Sequence, residues 1–298
     1  MQMRKSFLFL FLGVIFTSGL SGQSGFPLIL RDSLGRSVTV QSPPKRIVSL
    51  SPGITEILFA ITAGDQVVGV TQYCNFPPEA QSRRKVGGFS GATISVESIV
   101  QLQPDLVILS GYMHERLIPL LERFSIPIFA VEPQTFAEVY KTIEALGKLT
   151  GKVQAGAAVL AEMQEKIRRA EARRAGRERP GVFWELADEP LMTAGGDTFI
   201  SEAISLAGGR NVFADRREQW PAVNTEQVLL KGPDWIIAGD DHGKALDPQA
   251  LARRPGWSKI PAVQNRRIAL VSADCLYRYG PRLADAVLAL ADIFWGSR

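Results

Sequence analysis

Cysteine and histidine are scarce in this sequence of 298 residues, which contains two of each. No pair among Cys74, Cys275, His114 and His242 has the spacing of a zinc site. The sequence therefore gives no reason to expect a metal site built from these side chains.

Signatures of catalysis are missing too. Residues 88–92 resemble the nucleophile elbow of α/β-hydrolases, with Ala92 in the last place, but no acid and histidine follow in the hydrolase pattern. No phosphate-binding loop with Gly-Lys-Ser or Gly-Lys-Thr occurs. We therefore expect a protein that is not an enzyme and needs no catalytic cofactor, with a secreted hydrolase as a less favoured alternative.

The N-terminal apolar run, residues 6–16, is far shorter than the roughly 20 residues that a membrane span requires. Arg4 and Lys5 precede it, and small polar residues follow it at 17–24. This pattern predicts a cleaved secretory signal peptide over residues 1–22, followed by an N-terminal extension over 23–44. Because no cysteine lies directly after the apolar run, we expect a periplasmic protein and not a lipoprotein.

The net charge of the sequence is also low. Without Arg4 and Lys5 of the leader, the formal net charge falls from +4 to +2. The basic run at 166–179 has glutamates interleaved, as a solvated helix face would. Nothing in the charge pattern indicates a nucleic-acid partner.

Short apolar runs of strand type alternate with helical or glycine-rich segments, at 46–50, 66–71, 105–109 and 126–131. Unbroken apolar strands that alternate with helices indicate parallel sheets covered by helices on both faces. The predicted fold class is therefore α/β.

An internal repeat is the most informative feature. Residues 94–108 match residues 223–237 without a gap, so that Glu97 aligns with Glu226 and Pro104-Asp105 aligns with Pro233-Asp234. Each copy has the pattern of a helix closed by Pro-Asp and followed by a buried strand. Two copies predict two Rossmann-like lobes with central parallel sheets, over residues 45–134 and 179–298.

The longest helical pattern lies between the two lobes. Thr135 and Glu138 form a capping-box motif, and the pattern pauses at Gly151 and resumes near Leu160. We predict one long bridging helix over residues 135–178. A helix of about 20 residues spans about 30 Å, so it would allow only limited hinge motion between the lobes.

Six short motifs follow one another along the chain: Arg46-Ile-Val-Ser-Leu-Ser-Pro-Gly-Ile-Thr-Glu56, Tyr73-Cys-Asn-Phe-Pro-Pro78, Val86-Gly-Gly-Phe89, Ser95-Val-Glu97, Trp220-Pro-Ala-Val-Asn-Thr-Glu226 and Gly280-Pro-Arg282. Together with the repeat and the leader, they resemble the periplasmic binding proteins of ABC importers for cobalamin, haem and ferric siderophores, most closely the cobalamin (vitamin B12)-binding members. The resemblance implies a monomeric helical-backbone binding protein that holds its ligand between two lobes and delivers it to a permease dimer.

Ligands of α/β lobes lie beyond the carboxyl ends of the strands, where this sequence is rich in aromatic residues. Rings suit the faces of a flat macrocycle, and scattered polar groups suit its edges. The resemblance implies ligand contacts at Tyr73, Phe89, Trp220 and Asp274. Five more candidates follow other predicted strands: Ser51, Pro52, Tyr112, Trp184 and Tyr277.

A corrinoid is the first candidate ligand. Haem is the second, because Tyr112 or His114 could serve as an axial ligand, although a lone loop histidine is more often solvated. A ferric siderophore is the third, since anionic groups could meet arginines at 216, 217, 278 and 282. A ligand-sensing module without a transporter is the remaining alternative. Cys74 and Cys275 fall in predicted cleft loops of opposite lobes, and we expect free thiols because a disulfide would lock the cleft.

Glu97 and Glu226 occupy the same place in the two repeats, each shortly after a residue that can cap a helix. A glutamate in a first helical turn interacts favourably with the helix dipole, which stabilises the helix by about 0.3 to 1 kcal/mol. This effect explains each glutamate separately but does not require the same acid at the same position in both lobes. In the family that the sequence resembles, these two positions contact arginines on the two permease subunits. The resemblance therefore implies that both acids dock to the permease.

Overall fold

The computed structural model describes residues 25–240 and 246–296. The predicted signal peptide and His242 lie outside these residues. Within them, no helix is both long enough and apolar enough to cross a membrane.

The N lobe contains a five-stranded sheet and a short hairpin. Its strands are β1 (Leu28–Arg31), β2 (Ser37–Val40), β3 (Ile47–Ser49), β4 (Val67–Val70), β5 (Arg84–Lys85), β6 (Leu106–Ser110) and β7 (Ile128–Val131). Its α-helices are α1 (Pro52–Ala60), α2 (Pro78–Gln81), α3 (Val96–Gln101) and α4 (Ile118–Glu122). The sheet order is β5-β4-β3-β6-β7, with every pair parallel.

Two helices connect the lobes, α5 (Phe136–Leu149) and α6 (Val153–Arg174). The C lobe then adds the strands β8 (Gly181–Trp184), β9 (Ala187–Asp188), β10 (Leu191–Met192), β11 (Arg210–Asn211), β12 (Trp235–Gly239) and β13 (Ile268–Val271). Its α-helices are α7 (Phe199–Leu206), α8 (Thr225–Lys231), α9 (Pro248–Arg253), α10 (Pro261–Gln264), α11 (Ala273–Tyr277) and α12 (Leu283–Trp295). The sheet order is β11-β8-β12-β13, again all parallel.

The prediction of two α/β lobes with parallel sheets is confirmed. Strands β3, β6 and β7 lie in the apolar runs that predicted them, and nearly all of their residues are buried, as sheets covered on both faces require. The hairpin β1–β2, within the predicted N-terminal extension, packs on the N lobe, where Ser33 donates to the carbonyl oxygen of Ala130.

The repeat has a structural reason. The Asp105 carboxylate accepts hydrogen bonds from the backbone N–H groups of Lys45 and Arg46, just before β3. The Asp234 carboxylate accepts one from the Gly181 N–H at the start of β8, at 2.7 Å. In each lobe the Pro-Asp pair thus fastens the end of one helix to the start of the neighbouring strand.

The connection between the lobes is divided. Helix α5 begins at the predicted cap, where the Thr135 hydroxyl accepts from the Glu138 N–H at 3.2 Å. It ends before Gly151, whose φ of +72° is in the left-handed region that terminates helices. The span predicted as one bridging helix is therefore two helices, of which α6 is the long one, at about 33 Å.

One apolar core passes through this connection. It joins Ile57 of α1, Ile143 of α5, Ile167 of α6 and Val287 of α12, all buried. Helices α6 and α12 also share ion pairs, such as that of Lys166 with Asp285 at 2.7 Å. Because both lobes pack on the same core, they cannot separate without exposing it.

A buried ion pair joins the lobes next to this core. The Glu56 carboxylate of α1, in a residue only 3% exposed, accepts from Arg282 of the C lobe through Nε at 2.8 Å and Nη2 at 2.6 Å. Arg278 lies 3.7 Å from the same carboxylate. A Cβ added to Gly53 would lie 1.6 Å from the Arg278 carbonyl oxygen, so only glycine allows this approach. We call these contacts the interlobe clasp.

Burial raises the pKa of Glu56 above its ordinary value of 4.5, and the opposing effect of Arg282 and Arg278 does not cancel the shift. A carboxyl group with a raised folded-state pKa contributes stability below its unfolded pKa, and that contribution is lost as pH rises through the folded pKa. Arg282 and Arg278 lower the pKa of Glu56 and so limit this loss of stability.

Arg282→Ala should lower the free energy of unfolding by about 3 to 5 kcal/mol, because it removes one partner of a buried ion pair. It should also raise the pKa of Glu56 further, so the deficit should grow as pH rises above the ordinary carboxyl pKa of 4.5. Urea unfolding at several pH values measures both effects. The control is Arg168→Ala, which breaks an exposed pair with Glu165 and should cost less than about 1 kcal/mol. Equal losses in the two variants would contradict the role of the clasp.

Candidate ligand-binding site

A cavity of about 380 Å³ lies between the lobes, within the size range of small-molecule sites. Both lobes line it, and so do six of the predicted ligand contacts: Ser51, Pro52, Tyr73, Phe89, Asp274 and Tyr277. The structure thus brings these six together, while their contact with a ligand stays a prediction.

The cavity is formed where parallel strands end. Ser51 follows β3, Ser110 ends β6 and Glu132 follows β7, all on the carboxyl edge of the N-lobe sheet. From the C lobe, Asp274 and Tyr277 lie on α11, shortly after β13. The order of strands and helices therefore determines which side chains meet in the cavity.

Two exposed aromatic rings border the N-lobe side. Tyr73 and Phe89 pack edge to face, with centroids 5.6 Å apart and planes at 77°. Each residue is about half exposed, at 53% and 51%. Large exposed rings at the rim of a cavity offer apolar surface to a ligand.

Trp220 lies in a smaller neighbouring pocket of about 50 Å³, which shares Tyr277 and Tyr279 with the main cavity. Tyr279 stacks on Phe199 with centroids 4.3 Å apart, and its φ of +55° is unusual for a residue other than glycine. Such a conformation is maintained by its surroundings and is often found at functional sites.

The prediction that Trp184 contacts the ligand is wrong, because its side chain is completely buried. Successive residues of a strand face opposite sides of the sheet, and Trp184 packs in the core shared with the bridge while Phe183 packs on the other face. Tyr112 is 83% exposed and lies outside the set of residues that line the cavity. Its ligand contact has no support from this placement.

His114 differs from the solvated loop residue that we expected. It is 2% exposed; its Nδ1 accepts from the Ser110 N–H at 3.1 Å, so its Nε2 donates to the Phe89 carbonyl oxygen at 2.9 Å. Burial lowers its pKa, which favours the neutral ring. Both ring nitrogens are thus engaged by the backbone, and His114 holds the Phe89 loop instead of offering a lone pair to iron.

Two of the arginines proposed for an anionic ligand already have acidic partners. Arg278 pairs with Asp274 at 2.6 Å, and Arg282 pairs with Glu56 in the interlobe clasp. Arg216 and Arg217 lie near Trp220 in sequence but line neither cavity. The described cavity therefore offers no free guanidinium.

The cysteines are free. Cys74 is fully buried and its Sγ lies 3.2 Å from the hydroxyl oxygens of Thr55 and Thr71. It is part of the packing beneath α1 and not a surface of the cavity.

Sequence reasoning missed Glu132. This residue directly follows a predicted strand, so the rule that selected Ser51 could have selected it. The candidates were chosen mainly for their aromatic rings, so a carboxylate at the same kind of position was not selected.

Glu97 and Glu226 have the predicted placement. Each is exposed in the first turn of its helix, after Ser95 at the start of α3 and after Asn224 at the start of α8. The cap side chains accept from the N–H groups of Ser98 and Gln227, at 3.0 and 2.9 Å. A helix that leads into a parallel strand begins near the carboxyl edge of the sheet, so both acids lie towards the side of the cavity.

Comparison with known proteins agrees with this architecture. Residues 47–274 match the profile of the periplasmic binding protein family. The chain is 34% identical over 279 residues to an uncharacterised ABC transporter substrate-binding lipoprotein, YvrC, of Bacillus subtilis, covering 90% of this chain and 85% of that protein. It is 31% identical over 250 residues to the vitamin B12-binding protein of Vibrio cholerae, covering 82% and 87%.

Among solved structures, the periplasmic haem-binding protein RhuT of Roseiflexus sp. RS-1 superposes with a TM-score of 0.73 at 27% identity, covering 84% of this chain and 98% of that one. Fold, cavity placement and sequence identity thus agree. The chain belongs to the periplasmic binding protein family.

Proposed function

We propose that this protein is the periplasmic solute-binding subunit that delivers a corrinoid to an ABC importer. The observation that carries the proposal is the interlobe cavity bordered by the exposed rings of Tyr73 and Phe89. Rings of this kind suit the apolar face of a macrocycle. The similarity to a vitamin B12-binding protein supports the same ligand class.

Haem is the second candidate, because a haem-binding protein shares the fold. Haem iron in proteins is commonly held by a His or Tyr side chain. His114 has both nitrogens engaged, and Tyr112 is not among the residues that line the cavity. These contacts favour a ligand that brings its own axial groups, as a corrinoid does.

Glu97 and Glu226 are the proposed docking residues. Each lobe presents one exposed carboxylate on a rigid, capped helix end. Charge-assisted pairing with arginines on the two subunits of a permease dimer suits a complex that forms and releases in each cycle. The proposal includes a monomeric mature protein, released by cleavage after the signal peptide, with no nucleic-acid partner.

Titration followed by absorbance should show one-to-one binding of cobalamin, tighter than that of haem or ferric siderophores. Tyr73→Ala and Trp220→Ala should each weaken binding by about 1 to 3 kcal/mol, or about 5- to 150-fold, through loss of aromatic contact area. Phe124→Ala is the matched control, because Phe124 is 54% exposed, like Tyr73, but lies away from the cavity. Preferential binding of haem or a siderophore would contradict the corrinoid assignment.

Replacing Glu97 and Glu226 together with alanine should abolish transport and stimulation of the transporter ATPase. Ligand affinity and thermal stability should stay nearly unchanged, since both side chains are exposed. Glu122→Ala is the control, an exposed acid in the last turn of α4, at the opposite edge of the N-lobe sheet. Uptake at the wild-type rate by the double variant would show that the docking assignment is wrong.

A further inference from the structure

Glu132 has an unusual place in the cavity. Its Oε2 accepts a hydrogen bond from the Ser110 hydroxyl at 2.5 Å and another from the Tyr112 N–H at 3.1 Å. These two donors fix the carboxylate at the end of β7, where it lines the cavity. Its second oxygen, Oε1, has no hydrogen-bond donor among the residues that the structure describes.

No positive side chain neutralises this carboxylate in the described part of the chain. The cation that lines the cavity is Arg278, and its guanidinium is engaged by Asp274 at 2.6 Å, by Asn75 and by Glu56 at 3.7 Å. His114 also lines the cavity but is a neutral ring. The charge that remains uncompensated in the described lining is therefore the negative charge of Glu132.

Such a charge discriminates between classes of ligand. Water is partly excluded from a cavity of this kind, so a second anion near Glu132 is disfavoured more strongly than it would be in bulk solvent. A ligand N–H group can instead donate to the free carboxylate oxygen, and hydrogen bonds to ionised acceptors are among the stronger ones in proteins. Glu132 thus attracts a ligand edge that carries N–H donors and repels one that carries an anionic group.

We propose that Glu132 is the specificity-determining residue of the cavity. Its carboxylate accepts a hydrogen bond from a primary carboxamide on the edge of the bound macrocycle, and it discriminates against ligands that carry a carboxylate or catecholate at that edge. Corrinoids have peripheral carboxamides, whereas haem has two propionates. The inference rests on the proposed function and specifies how that site selects its ligand.

The test uses cobalamin and its monocarboxylic acids, in each of which one peripheral carboxamide is replaced by a carboxylate. For at least one positional isomer, the wild-type protein should bind the acid about 10- to 100-fold more weakly than cobalamin. In Glu132→Gln, which keeps an acceptor for Ser110 and Tyr112 but loses the charge, this penalty should fall to within about threefold. The expected signature is therefore a change in ligand preference and not only in affinity.

Two further variants separate this role from a structural one. Glu132→Asp retains the charge and should continue to disfavour the acid, even if its affinity for cobalamin falls. Glu144→Gln changes an exposed acid of α5 outside the cavity and should behave as the wild type does. Thermal melting of each variant shows whether the protein is folded.

The outcomes distinguish this inference from the proposed function. Suppose that the wild-type protein binds cobalamin but that, for every isomer, the loss of affinity relative to cobalamin is the same in Glu132→Gln as in the wild type. The inference is then wrong and the proposed function stands. If the wild-type protein does not bind cobalamin, both are wrong.

Discussion

The buried ion pair between Glu56 and Arg282 is the contact on which the shape of the cavity depends. Removing a carboxylate from water is costly, and two hydrogen bonds from one guanidinium recover much of that cost only when the lobes are in this arrangement. Arg278 is shared between this pair and Asp274, which lines the cavity. The clasp therefore places the C-lobe wall of the cavity against the N-lobe wall. The continuous apolar core through α5, α6 and α12 supports the same arrangement. We infer that the cavity is largely preformed.

The structure also relates the cavity to the proposed docking surface. In the N lobe, the segment that carries Phe89 is closed by a bridge between Gly87 and Ile94 and leads directly into α3, which carries Glu97. In the C lobe, the segment after Trp220 pairs with Met192 through Ala222 and leads into α8, which carries Glu226. Each lobe thus has a ring at the main cavity or its neighbouring pocket and an exposed acid on one short, hydrogen-bonded segment. The matching acids follow from the internal repeat, whereas the two rings lie just before it in each lobe.

Much of the fold could be predicted from the sequence, because buried parallel strands leave unbroken apolar runs and the repeat reveals the second lobe. Six of the nine ligand-contact candidates lie in one cavity for the same reason: strand order determines which loops meet. The errors arose where a single residue decides the outcome. Gly151 adopts a left-handed conformation and divides the connection into two helices. Trp184 is still part of β8, which is buried on both faces, so it does not reach the loops beyond the end of the strand. His114 is buried and bonds the distant Phe89 carbonyl as well as the nearby Ser110 N–H, and no local pattern indicates the distant contact.

Small-angle scattering with and without saturating cobalamin tests the preformed cavity most directly. If the clasp and the shared core hold the lobes, the two scattering curves should correspond to a hinge rotation of only a few degrees. The radius of gyration should then be almost unchanged on binding. A clear compaction of the wild-type protein when it binds the ligand would show that the lobes are free to move, and it would contradict the central role of the interlobe clasp.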